Sequence, residues 1–451
     1  MKAFSILQFL PLEYAVTTAL PLTMNRRLFI AATLAGFLLR NTEAQQPKSD
    51  AEAQSAVNQA HTEIWRRFID PYGIMIDFTA LDGSVSLPTP EECREGKPNA
   101  LGWWAPIENG AMFNGLYMEA AVNRWRHTKS PEDATKARRL MEGLLLLASI
   151  SDVPGFVGRG VSTDGKSHYP MGSNDQTFPW FLGLWRYLES GLATPDEKTR
   201  IVDKLRITAE EILKFKWMMP AEAPFGFRGG FGGVSFESAP RLLFVAKMMH
   251  QVTGEEKWAE IYQNALRERG GKDKLTRLEV CERGMIFEHG GRHSWTSCGS
   301  VGAIRGLWEL ETVKDLRDAY ARGLQASADL ALKSLILAEK FDHNSPTTFD
   351  PDWRTMNSLW KPQQTENEAQ DLALVQLRQF LNTSPRRRLE TEFIREPTAA
   401  AWIVTLAPDP EMLRQRSQEV NRVIAAYDYT KLYYSQFFWV ESAWWRLKAV
   451  Q

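Results

Sequence analysis

The chain reads as an all-α protein assembled from helical hairpins. Apolar residues recur three and four apart through thirteen separate stretches, as one buried face of a helix requires. Strand-like runs are few and short, the clearest being Met285-Ile286-Phe287. The connectors alternate between short charged turns and longer loops rich in glycine and aromatics. Paired antiparallel helices give that pattern, with the tight turns gathered on one face and the long loops on the other.

Taken in order, Ala53 to Ile69 carries apolar residues at 57, 60, 64, 65 and 68. Ala111 to Trp125 repeats the spacing at 113, 116, 117, 120 and 121, and Ala134 to Ile150 at Ala137, Leu140, Met141, Leu144, Leu145 and Ala148. The same periodicity predicts helices over 176–190, 196–217, 238–252, 255–269, 295–312, 314–337, 365–381, 391–406, 410–426 and 433–448. Lys129-Ser-Pro-Glu-Asp and Ala193-Thr-Pro-Asp-Glu are tight turns, whereas 155–175, 221–236 and 283–295 are long loops. No strict period recurs, which argues against a solenoid of near-identical repeats. No composition shift marks a linker, so residues 45–451 read as one domain.

Residues 1–44 read as an export segment. Met24 is the better start, followed by Arg26-Arg27-Leu28-Phe29, the apolar run Ile30 to Leu39 and a small-x-small site at Thr42-Glu43-Ala44. A charged start, a short apolar stretch and such a site describe a signal peptide, and the paired arginines resemble a twin-arginine signal. The apolar run is too short to span a bilayer comfortably. The expected destination is the periplasm or the exterior, with no membrane association of the mature chain.

A net charge of −1 gives no electrostatic case for nucleic acid. Arg386-Arg387-Arg388 reads as a solvated turn. The hydrophobic fraction of 44% is ample for a core, and 16 Trp leave some for a site. Three cysteines, Cys93, Cys281 and Cys298, make no disulfide scaffold. Cys281 and Cys298 bracket the loop from Glu288 to His293 and read either as a staple or, slightly favoured, as two buried thiols. No CxxC or HExxH spacing supports a metal, and nothing calls for a cofactor.

Chemistry concentrates in Gly155–Tyr187, GFVGRGVSTDGKSHYPMGSNDQTFPWFLGLWRY. It joins Arg159, Asp164, Lys166, His168, Tyr169, Asn174, Asp175 and Gln176 to an aromatic helix, with glycines between them. A polar, glycine-hinged loop entering a rigid helix is a common support for a site. The run Gly155-Phe-Val-Gly-Arg-Gly together with Ser173-Asn-Asp-Gln-Thr-Phe-Pro-Trp-Phe-Leu-Gly-Leu-Trp-Arg-Tyr resembles the six-hairpin glycosidase superfamily. The resemblance implies an (α/α)6 toroid across most of the chain after residue 50. It also implies a carbohydrate-active enzyme, closest in flavour to unsaturated glucuronyl hydrolases and other uronic-acid-acting enzymes. Polysaccharide lyases also use helical toroids, so elimination stands beside hydrolysis.

Glycoside hydrolysis needs a carboxyl to protonate the leaving oxygen, usually with a second carboxylate nearby. Asp175 is the first candidate. Phe178, Trp180 and Trp185 around it would desolvate the acid and raise its pKa, while its place before Pro179 equally suits a helix cap. Glu108, in Trp103-Trp104-Ala-Pro-Ile-Glu108-Asn109, is the second, with tryptophans suited to stacking on sugar. Glu288 is a third, and Asp164 is a natural turn residue with a lesser claim. Arg159, Lys166, His168, Arg228, Arg292 and His293 are loop cations suited to an acidic sugar, and His289 is a further substrate contact that also fits a lyase. Asn174, Gln176, Trp180 and Trp295 complete the expected substrate contacts. For a lyase, His168 and Tyr169 would serve as base or acid, with Asn174 or Arg159 neutralising the uronate. A non-catalytic glycan-binding protein would keep the tryptophans and cations while its acids merely capped helices.

Overall fold

The computed structural model describes residues 50–286 and 294–449. The export segment, the loop candidates Glu288, His289, Arg292 and His293, and Phe287 lie outside them. The described helices are α1 (Asp50–Glu63), α2 (Pro90–Glu95), α3 (Gly110–Thr128), α4 (Pro131–Leu147), α5 (Asn174–Leu188), α6 (Pro195–Lys214), α7 (Ala239–Thr253) and α8 (Glu256–Leu266). They continue with α9 (Arg277–Arg283), α10 (Ser294–Leu310), α11 (Lys314–Ala331), α12 (Glu366–Thr383), α13 (Arg386–Glu390), α14 (Glu396–Thr405), α15 (Pro410–Ile424) and α16 (Trp439–Lys448). The helices that periodicity did not signal, α2, α9 and α13, are those too short to show it. The described strands are two short antiparallel pairs: β1 (Met218–Pro220) with β2 (Phe227–Gly230), and β3 (Arg269–Gly270) with β4 (Leu275–Thr276). Met285 and Ile286 are not in a strand.

The helix contacts close a ring. Helices α3, α5, α7, α10, α14 and α16 each pack on the next, and α16 returns to α3. Outside them lie α4, α6, α8, α11 and α15, each the partner of the inner helix before it, and α1 closes the outer layer against α15 and α16. This is an (α/α)6 toroid whose sixth hairpin joins the first described helix to the last. The two layers have different sequences for a physical reason. An outer helix buries one stripe: in α6 it is Glu197, Ile201, Leu205, Thr208, Ala209 and Ile212, the amphipathic pattern of a surface helix. An inner helix is surrounded, so α14 is buried at every position from Glu396 to Thr405.

The tight turns are set by caps. Thr194 and Thr365 form reciprocal capping boxes with Glu197 and Glu368, and Ser130 and Asp409 cap helices that begin with proline. Such caps satisfy the free N–H groups of a first turn and fix its start within one or two residues. Inner helices α3 and α5 approach most closely at glycine: a Cβ on Gly115 would stand 2.0 Å from the Pro179 carbonyl oxygen.

Every inner helix enters from a long connector. Those that continue to an outer helix leave through a short turn. The long connectors therefore gather at the N-terminal end of the inner ring. The longest, 332–395, contains α12. It is tied to the segment before α3 by Asn99 to Gln376 (2.9 Å), Ala100 N–H to Gln363 (2.6 Å) and the Trp104 indole to the Ala373 carbonyl (2.7 Å). Among the described residues no helix is long and apolar enough to cross a membrane.

Candidate functional site

The N-terminal end of the inner ring presents Glu108 before α3, Asp175 in the first turn of α5, Arg241 in the first turn of α7, Trp295 in α10, and Arg395-Glu396 at the start of α14. Helix N-termini carry partial positive charge and favour anions. The acids here gain from that field whether or not they react.

Glu108 is half-buried, and one of its oxygens accepts a bond from the Trp104 N–H at 2.7 Å. It forms no ion pair with any described residue. Trp104 holds φ at +73°, a conformation that costs a non-glycine residue of order 1–3 kcal/mol and here aims its N–H at the acid. Asp77 lies beneath, fully buried, accepting from the Asn109 backbone and side chain at 2.8 and 2.7 Å. Burial and the neighbouring Glu108 hold the Asp77 carboxyl well above the ordinary range, against the pull of Asn109 and Arg387.

Asp175 differs. Its side chain is 55% exposed. Its surroundings raise its pKa by desolvation, but Arg241 at 2.8 Å, with Arg228 and Arg159, outweighs that and leaves it below the usual carboxylate value. The expectation of a raised pKa is therefore corrected: burial does raise it, but the arginines that face the acid outweigh burial. The cap expectation is corrected too. Helix α5 begins at Asn174, so Asp175 lies inside its first turn, and Pro179 falls beyond that turn.

The expected cations separate into committed and open ones. Arg159 is buried and donates to the Met171 carbonyl (3.1 Å), the Glu108 carbonyl (2.9 Å), the Gly172 carbonyl (3.4 Å) and Ser173 Oγ (3.2 Å). Burial and Arg228 push its pKa down to about 9. Four of five donors are spent on the frame, so Arg159 braces the loops around both acids. Arg228 donates to the Gly172 carbonyl (3.1 Å), pairs loosely with Glu366 (3.5 Å) and lies over Trp103 (5.4 Å). Lys166 and His168 line a cavity of about 560 Å³ whose walls include neither Glu108 nor Asp175.

Several of the other expected residues turn out to be structural. Asp164 accepts from Ser162, Lys166 and Ser167 in a tight turn. Gln176 is buried and ties Met112 N–H to Asn109 (3.0 and 3.2 Å). Trp180 is buried, its indole donating to the Leu144 carbonyl on α4 (2.8 Å); it is removed from the substrate contacts. Tyr169 is buried beneath Gly102 and donates to the Lys97 carbonyl at 2.5 Å, so it has no path to a substrate proton. His168 bonds Glu222 (3.0 Å) and the Lys166 carbonyl (2.9 Å). Burial lowers its pKa, but those partners raise it overall. Asn174 opens α5 against Gly229, where a Cβ would stand 2.4 Å from its Oδ1. Trp295 is half-buried under the Arg395 guanidinium (4.0 Å). Cys281 and Cys298 are buried free thiols. Among the described residues no cluster of His, Cys, Asp and Glu is arranged to hold a metal ion.

Sequence reasoning missed Asp77, Arg241, Arg387, Arg395 and Glu396. Four carried a signal: Asp77 interrupts Ile74-Met-Ile-Asp-Phe, Arg241 interrupts Pro240-Arg-Leu-Leu-Phe-Val, and Arg395-Glu396 opens the apolar run to Thr405. A charge inside an apolar run has to be paired or functional. Arg387 gave no such signal, because its neighbours in sequence are also arginines.

No family model matches this chain, and no curated protein matches it. Among solved structures it is similar to a glycoside hydrolase family 76 (mannosidase) protein from Bacteroides thetaiotaomicron VPI-5482. The identity is 10% and the TM-score 0.41, over 89% of this chain and 98% of that one. At that level of likeness, the assignment of the (α/α)6 ring rests on this chain's own helix contacts.

Proposed function

We propose that this protein is an exported glycoside hydrolase acting on poly- or oligosaccharides that contain uronic acid. The observation that carries the reading is a pair of acids in different surroundings at one end of the ring. Asp175 is held ionised by Arg241, while Glu108 shares its surroundings with the buried, proton-retaining Asp77. Glu108 is the carboxyl of that end open to solvent, and it serves as the general acid toward the leaving glycosidic oxygen. Asp175 then serves as nucleophile or as the base that activates water. Hydrolysis needs this division of labour between two carboxyls. Trp103 and Trp295 supply aromatic faces for sugar rings.

The test is incubation with a panel of uronate-containing and neutral glycans, following new reducing ends and ultraviolet absorbance together. Reducing ends without absorbance support hydrolysis. Absorbing unsaturated products would replace it with elimination, and binding without either would make the protein a glycan-binding module. Export is tested separately by fractionating cells. Retention in the cytoplasm of the chain begun at Met24 would overturn it.

A further inference from the structure

The sequence offers a run of three arginines, Arg386-Arg387-Arg388, that looks like a solvated turn. The fold separates them. Arg386 is buried and pairs with Glu390 (3.1 Å), and Arg388 is exposed. Arg387 is half-buried, its guanidinium lying over Trp104 at 4.5 Å, Phe380 at 4.9 Å and Tyr434 at 5.5 Å. Eight residues on, Arg395 is seated in the same way over Trp295 at 4.0 Å. Neither side chain makes a hydrogen bond or ion pair to a described residue, and Arg395 Nε is buried without a partner.

A guanidinium stacked on a ring uses its flat face, so its N–H donors, which lie in its plane, stay free. The aromatic seats fix two such forks near the entrance to α14, where burial and the nearby Arg387 bring the Arg395 pKa down to about 9 against the pull of Glu396 and Glu108. Neither cation is in an ion pair with a described residue, and the two repel each other. A ligand carboxylate or sulfate between them would relieve that repulsion and take up the free donors. Their neighbour is Glu108, whose field reaches Arg395 and whose oxygen is held by the residue that seats Arg387.

We propose that Arg387 and Arg395 form a two-arginine clamp for the anionic group of a sugar bound beside Glu108, either a uronate carboxylate or a sulfate ester. This rests on reading the N-terminal end of the inner ring (the crater) as a sugar site, and it replaces Arg159 with residues whose donors are free. Planar forks match both groups bidentately.

The test measures binding, so that it can fail or succeed independently of turnover. Quenching of tryptophan fluorescence is titrated with glucuronate, glucose and glucose 6-sulfate for the unaltered protein and for Arg387→Lys, Arg395→Lys and, as a control on the same helix, Arg388→Lys. Lysine keeps the charge but loses the fork. The expected result is salt-sensitive binding of one or both acidic sugars over glucose, weakened about ten- to a hundredfold by either clamp variant and unchanged in Arg388→Lys, with unaltered thermal melts. The preferred acidic sugar identifies the group. Equal affinity for glucose, full affinity in both clamp variants, or no detectable binding of either acidic sugar would overturn the clamp. Selective binding without any hydrolysis would leave the clamp standing and sink the hydrolase reading.

Discussion

The two ends of the inner ring carry similar charges and use them in opposite ways. At the C-terminal end, Glu119 accepts from Arg446 (2.5 Å) and the Trp402 indole (3.2 Å) and pairs with Arg186 (3.3 Å). Arg186 also bonds Glu309, which pairs with Arg305 (2.6 Å). Arg305 donates to the Leu406 and Ala407 carbonyls and Arg446 to the Thr405 carbonyl. Every member of that network has several partners. At the N-terminal end, Glu108 has no ion pair among the described residues, Asp175 is open, and Arg387 and Arg395 rest on aromatic faces alone. A network closed on itself plugs a ring and fixes its register. The same residue types left open can meet a ligand. Composition cannot separate the two ends; partner completeness does.

The largest effect should come from the open acids. Asp175→Asn keeps an oxygen for Arg241 but loses the charge, and Glu108→Gln keeps the Trp104 bond but loses the proton. Each should lower kcat by about 10²–10⁴-fold, the usual share of a general acid or base, with little change in the melt. Full activity in either variant removes that acid from the mechanism. An unfolded Asp175→Asn would show that its pair with Arg241 is structural.

At the closed end the readout should invert. Glu119 is buried, so Glu119→Gln leaves Arg446 and Arg186 without their shared counter-charge. Breaking a buried pair from one side costs about 3–5 kcal/mol. Denaturant melts should show that loss, while kcat per folded molecule stays normal. A selective loss of activity would mean that the closed end is coupled to the crater.

Acid should act on the closed end next. Burial raises the Glu309 pKa, but Arg186, Arg305 and Arg446 outweigh it and bring it to about 2. A carboxyl depressed on folding contributes stability above its unfolded pKa, and that contribution is lost as pH falls through the folded value. The window therefore runs from about 4.5 down to about 2. Because the residue is partly open to water, screening cuts the contribution to about 1–2 kcal/mol. Glu309→Gln should flatten that part of the stability curve; a curve of unchanged slope would discard the pairing.

The hairpins were legible because burial on one face writes a period into the sequence, and the outer helices such as α6 and α15 show it cleanly. The inner helices were legible mainly as apolar length: α14 is buried all round and has little moment to read. The crater was half legible. Glu108, Asp175, Arg228 and Trp103 sit on connectors that sequence marks with glycine and tryptophan. Arg387 and Arg395 arrive from the connector before α14, far away in the chain. Only ring closure brings them to Glu108, and no local pattern encodes a contact across three hundred residues. Trp180, Tyr169 and Gln176 misled for a related reason. A buried ring with one polar atom and a ligand-stacking ring have the same letter, and the hydrogen-bond partner is what tells them apart.

Arg159 gives the smallest expected effect and the sharpest test of partner completeness as the criterion. It stands at the open end but is wired like a residue of the closed end, with its donors on the 108, 171, 172 and 173 positions. If completeness decides role, Arg159→Lys should loosen the frame: the melt falls and kcat falls modestly for every substrate, because both acids shift together. The ratio of kcat/KM for an acidic sugar over its carboxyl-reduced counterpart should stay within about twofold, since no donor that reads the anion has been removed. Arg395→Lys should collapse that ratio with little effect on the melt. Measuring the two ratios side by side decides the matter. If Arg159→Lys lowers the ratio as far as Arg395→Lys does, the brace also touches substrate, and hydrogen bonds counted within the protein alone do not assign the cations of this crater.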